Sequence, residues 1–126
     1  MEILCYNIQA GSGNNYLAFW NFLKSNKNII EQISEKIARR SPDIIGLIEV
    51  DAGSFRSTNQ IEILAKKLKY NYASACKYGW AAGLPILKHQ HLAIFTKYAI
   101  LKVVKHKFSA GFKRLALEVV VQTGRK

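Results

Sequence analysis

The sequence predicts an α/β, or α+β, fold in which a layer of helices covers a β-sheet. Three observations carry that prediction. Short β-favouring apolar runs open the chain and recur at Ile44 to Val50. Two stretches that follow these runs repeat apolar residues every three or four positions, the helical period. From Leu92 onward, three more β-favouring runs follow one another without a helical pattern among them. The resulting order is β-α-β-α-β-β-β, with strands dominating the second half, and such an order buries one face of a sheet under helices.

The first strand spans Glu2 to Ile8 and leaves Asn7 at its end, before the turn "AGSGNN". Residues 16–24, "YLAFWNFLK", are apolar with poor periodicity and are assigned a short helix. Asn28 with Glu31 three positions on forms a capping-box pattern. Behind it Ile29, Ile30, Ile33 and Ile37 make the stripe of an amphipathic helix, which Ser41-Pro42 ends because proline disfavours helical geometry in the residue before it. Ile44 to Val50 is a strand apolar on both faces. From Asn59 a second helix turns Ile61, Leu64, Ala65 and Leu68 inward and Lys66, Lys67 and Lys69 outward. "YNYASA", 70–75, is a further strand candidate outside the order above. Leu92 to Thr96 and Ile100 to Lys107 are strands joined by a short turn, and Arg114 to Gln122 is the last, with Leu115, Leu117, Val119 and Val121 on one face.

At 126 residues the chain is a single domain with room for one core. Its 49% hydrophobic and 21% charged residues are those of an ordinary globular protein. No run of about 18 apolar residues is present to span a membrane. The N-terminus lacks the pattern of a signal peptide, so a cytoplasmic location with Cys5 and Cys76 as free thiols is expected. The net charge of +11 is unevenly placed: residues 1–60 balance six Lys/Arg against six Asp/Glu, whereas residues 61–126 hold thirteen against two. That asymmetry suits an anionic partner such as nucleic acid or lipid phosphates, and equally a solvated lysine-rich surface.

One constellation could carry chemistry. Asn7 ends the first strand and Glu49 the second, and sites in open α/β sheets lie beyond strand carboxyl ends. Their oxygen donors suit a hard cation such as Mg²⁺. The same residues also fit plain solvated strand ends. Asp51, two residues from Glu49, would share its face on an extended backbone.

"LCYNIQAG" followed by "SPDIIGLIEVD" resembles the opening of the endonuclease/exonuclease/phosphatase family, metal-dependent hydrolases that include DNase I-like and exonuclease III-like enzymes. "NQIEILAKKLKY", "HLAIFTKYAI" and "FKRLALEVVV" resemble later segments of that family in the same order. The resemblance implies a Mg²⁺-dependent, or Mn²⁺-dependent, phosphoester hydrolase. Glu49 would be a metal ligand, Asn7 would hold the metal or the scissile phosphate, and Asp51 would order the surrounding loop. Arg56 and Arg114 are candidates for contacts to the substrate phosphate. The family fold is a four-layer α-β-β-α sandwich with mixed sheets.

The family's later "G-D-F-N" and "S-D-H" motifs do not occur here. Residues 1–126 therefore read as the N-terminal half of such a domain, incomplete and expected to be inactive alone. Half a sandwich would expose an apolar sheet face, which a partner chain or a second copy would cover. The basic second half favours nucleic acid slightly over phospholipid as substrate. The alternatives are a non-catalytic basic binding module for nucleic acid or anionic surfaces, and one piece of a split domain.

Overall fold

The computed structural model describes residues 1–8, 27–53, 59–78, 89–109 and 115–124. Its elements are β1 (Ile3–Asn7), α1 (Lys27–Arg40), β2 (Ile44–Asp51), α2 (Gln60–Leu68), β3 (Asn71–Cys76), β4 (Gln90–Thr96), β5 (Ala99–Lys107) and β6 (Leu115–Gln122). "YNYASA" thus contributes a full strand, and the α+β class is the one expected. The helix assigned to 16–24 lies outside the described residues, as does the side chain of Asn28.

Lys27 and Asn28 already lie within α1, so Asn28 is not the cap the sequence pattern suggests, whereas α2 and the end of α1 follow local chemistry. Asn59 caps α2, its Oδ1 accepting from the N–H groups of Ile61 (3.1 Å) and Glu62 (3.3 Å). The Asn59 side-chain amide in turn donates to Glu62 Oε1 at 3.1 Å, which fixes the orientation of the cap. Lys69 closes α2 in the left-handed region at φ 57°, donating its N–H to the Ala65 carbonyl at 2.9 Å. Ser41 ends α1 likewise at φ 50°, and buried Pro42 prevents continuation.

Four strands form one sheet in the order β1-β2-β4-β3, and β5 with β6 forms a second, antiparallel ribbon. β1 and β2 run parallel, while β4 is antiparallel to both its neighbours. On one face of the larger sheet Ile45, Leu47, Val50, Ala93 and Phe95 pack against Ile30 and Ile37 of α1 and Ile61, Leu64 and Leu68 of α2. This cluster is the core. Against the other face lies β6, over β4 and β3. β4 is therefore covered on two sides, which is why it reads as a nearly unbroken apolar run, whereas β2 leaves Ile48 exposed on the face away from the helices.

The short turn after Thr96 suggests a hairpin, yet β4 and β5 belong to different sheets. Leu101, Val103 and Val120 of the ribbon are exposed, as is Phe108 just after β5. Helix layer, four-stranded sheet and two-stranded sheet make three layers. Because β1 and β2 are parallel, with Asn7 opposite Ile48, their carboxyl ends meet at the same edge of the sheet.

Candidate functional site

At that edge the backbone of β2 departs from strand geometry. The pairing with β4 runs Ile48 to Leu92 and then Val50 to His91, so Glu49 is one extra residue in β2, a β-bulge. Its φ is 62°, in the left-handed region that costs a residue with a Cβ about 1–2 kcal/mol. Two things follow from the bulge. The alternation of β2 is reset, so that Val50 takes the inward place after Ile45 and Leu47. And Glu49 leaves the extended path on which it was expected to share a face with Asp51.

The side of the sheet away from the helices holds an open groove of about 530 Å³. Cys5, Asn7, Gly46 and Ile48 form part of its floor, Leu115 to Leu117 of β6 close it, and Lys77 lines it as well. Gly46 keeps the floor low: a Cβ there would stand 3.3 Å from Cys5 Sγ, its neighbour across the strand pair. Asn7, at the end of β1, is exposed.

Lys77 follows directly on β3. Its ammonium donates to Glu49 Oε1 at 2.7 Å, and its side chain is only 6% exposed, against 20% for Glu49. A lysine this deep in a protein requires an anionic partner, because an isolated buried ammonium is strongly disfavoured. Its backbone is fixed too, the N–H donating to the Gln90 carbonyl at 3.0 Å. The ammonium also lies 5.5 Å from the centre of the Tyr78 ring. Burial, with the negative charge of Glu49 adding to it, pushes the Tyr78 phenol above its ordinary pKa.

Asp51, fully buried, stands beside this cluster. Its Oδ1 accepts from the Gly53 N–H at 3.0 Å, and its own N–H donates to Gln60 Oε1 at 3.0 Å. Gly53, at φ 96°, adopts a turn conformation that a side chain would strain. Asp51 and Gln60 thus tie the exit of β2 to the first turn of α2. Arg56 and Arg114 lie outside the described residues.

The arrangement therefore gathers Asn7 and Lys77 on one groove, with Glu49 joined to Lys77. Oxygen donors of the Asn and Glu type are those a hard cation takes, so the donor chemistry fits Mg²⁺ or Mn²⁺. The ammonium on Glu49 already balances its charge. Among the described residues no group of three or more His, Cys, Asp and Glu side chains gathers to hold a metal. Sequence reasoning missed Lys77 altogether. Its one sequence signal is a charge placed directly after the small-residue strand "ASAC".

No family model matches the sequence, and no curated protein matches it. Among solved structures, the chain is similar to an endonuclease/exonuclease/phosphatase family protein from Leptotrichia buccalis C-1013-b, with a TM-score of 0.62 and 16% identity over 97% of this chain. The chain spans 48% of that protein's length. The architecture is the one the sequence motifs imply.

Proposed function

We propose, from the fold shared with an endonuclease/exonuclease/phosphatase family protein, that this chain carries the Asn7–Glu49 side of a Mg²⁺-dependent phosphoester hydrolase site. The observation that carries the reading is the bulge at Glu49. A non-glycine residue held at φ 62° beside a groove is strain that a plain strand end has no need of, and such strain concentrates at functional positions.

In this reading the bulge turns the Glu49 carboxylate out of the strand ladder and presents it as a metal ligand. Asn7 offers an amide oxygen to the cation or an amide N–H to a phosphate oxygen. Asp51 holds the loop after β2 in register through Gly53 and Gln60. The reading also assigns contacts with the substrate phosphate to the guanidinium groups of Arg56 and Arg114, as the family resemblance implies. Mg²⁺ or Mn²⁺, when bound, supplies Lewis-acid polarisation of the phosphoryl oxygen and steadies the leaving oxygen.

Since the chain is expected to be inactive alone, the test is calorimetric binding of Mg²⁺ or Mn²⁺ by the purified chain. Binding that is lost on Glu49→Ala supports the reading. Binding that is absent, or indifferent to Glu49→Ala, contradicts it.

A second reading is binding of nucleic acid, favoured over phospholipid, by the basic half. It rests on Lys102, Lys105 and Lys107, all exposed on β5. The apolar residues exposed on the same ribbon suit a partner chain or a second copy. Affinity for a generic oligonucleotide falling steeply with salt supports this reading, through counterion release, and salt-independent or absent binding removes it.

A further inference from the structure

Glu49 and Lys77 are bound to one another more closely than surface chemistry requires. We propose that the Lys77 ammonium holds the cation position on Glu49, so that a divalent ion reaches this carboxylate only by displacing Lys77. The inference rests on the reading of Glu49 as a metal ligand and adds an internal competitor to it.

The geometry is specific. The ammonium stands 2.7 Å from Glu49 Oε1. A Mg²⁺ ion bound to the same carboxylate would lie about 2.0–2.1 Å from its oxygen. The two cations would then face each other within a few ångströms. With the lysine side chain only 6% exposed, little water is present to screen them. Two cations on one carboxylate repel each other strongly in such surroundings, so binding of the ion favours release of the lysine.

Neither partner avoids the competition by drifting away while the strands keep their pairing. The bulge fixes the direction of Glu49, and the N–H of Lys77 is bonded to the Gln90 carbonyl. Relief comes through the four-carbon stem of the lysine. Its side chain lines the open groove together with Asn7, so a displaced ammonium has a path to solvent. Metal loading and exposure of Lys77 are then one event. Lys97, which also pairs with a carboxylate, is 37% exposed and takes no part, and it serves as an internal reference.

Two measurements on the full chain test this, with Mn²⁺ as the probe. In the first, acylation of each lysine amine is followed by mass spectrometry. Saturating Mn²⁺ raises the modification rate of Lys77 by about tenfold or more, in line with release from a buried ion pair, and leaves Lys97 unchanged. A Lys77 rate unaffected by bound Mn²⁺ overturns the proposal, and this arm needs no variant to fold.

In the second, calorimetry gives the Mn²⁺ affinity of wild type, Lys77→Met, Glu49→Gln and the double variant. Lys77→Met binds about tenfold more tightly than wild type, once the competing charge is gone. Equal or weaker binding by a folded Lys77→Met, with Glu49→Gln abolishing binding, overturns the competition and leaves Glu49 as ligand. Binding retained in Glu49→Gln, or absent from both wild type and Lys77→Met, removes the ligand reading and the proposal with it.

Discussion

A carboxylate–lysine pair stands at each end of β2, Asp43 just before the strand and Glu49 near its close, and the two pairs are built in opposite ways. At the amino end Asp43 Oδ1 lies 3.7 Å from Lys97 Nζ, with side chains 25% and 37% exposed. Asp43 Oδ2 also accepts from the Glu2 N–H at 2.7 Å and faces the N-terminal ammonium at 3.8 Å. Lys97 donates to the Ser41 carbonyl as well, and Arg40 pairs with Glu2. At the carboxyl end Glu49 meets Lys77 at 2.7 Å, buried, on a backbone forced into the left-handed region. The first pair is open to water, shared among several partners and set on ordinary backbone. The second concentrates its charge in one short contact at a strained residue beside a groove. Opposite charges on one strand thus clamp the sheet at one end and hold a poised, costly arrangement at the other.

The sharpest way to break this comparison is to remove each lysine in turn. Lys77→Ala leaves a mostly buried carboxylate without its cation and is expected to cost roughly 3 kcal/mol of unfolding free energy. Lys97→Ala removes a partner that water replaces, and its loss is expected to be much smaller. Urea denaturation of both variants measures the difference; equal losses would erase the distinction between the two ends.

A second prediction concerns the backbone alone. At an ordinary strand position glycine is less stable than alanine by roughly 0.5–1 kcal/mol. At Glu49 the order reverses. Glu49→Gly is expected to exceed Glu49→Ala in stability by about 1 kcal/mol, because only alanine meets the left-handed penalty. Both variants lose the same ion pair, so their difference in denaturation midpoint isolates the strain.

The smallest effect is expected at the exposed end and is visible through pH. The hydrogen bond from the Glu2 N–H, followed by the charges of Lys97 and the N-terminus, holds the Asp43 carboxyl below its usual pKa against a partial opposing effect of desolvation. A carboxyl lowered on folding stabilises the native state above its unfolded pKa of about 3.9, and that contribution is lost as pH falls through the folded value. Thermal melts of wild type and Asp43→Asn should therefore converge as pH drops below about 4, and added salt should narrow their difference at neutral pH.

The same two ends show what the sequence made legible. The amino end was open to reading: Ser41-Pro42 stops α1, and the apolar period on both sides places α1, β2 and α2 correctly. The positions of Asn7 and Glu49 at neighbouring strand ends were legible for the same reason, since both follow from where apolar runs stop. The bulge was not. "IEVD" contains no glycine to announce a left-handed residue, and the irregularity arises only because β4 pairs across it. Lys77 was illegible because a lysine after a strand ordinarily lies in solvent, and its burial depends on a carboxylate 28 positions away. Likewise the turn at Lys97 looks like a hairpin connection. Which sheet a strand joins is decided by packing over β3 and β4, beyond any local pattern.

The most direct test of the functional contrast is Mn²⁺ binding, followed by water-proton relaxation, in wild type, Glu49→Gln and Asp43→Asn. If the carboxyl end of β2 is the working end, Asp43→Asn binds as wild type does and Glu49→Gln loses the ion. Binding that survives Glu49→Gln, or that falls equally in both variants, would contradict the account.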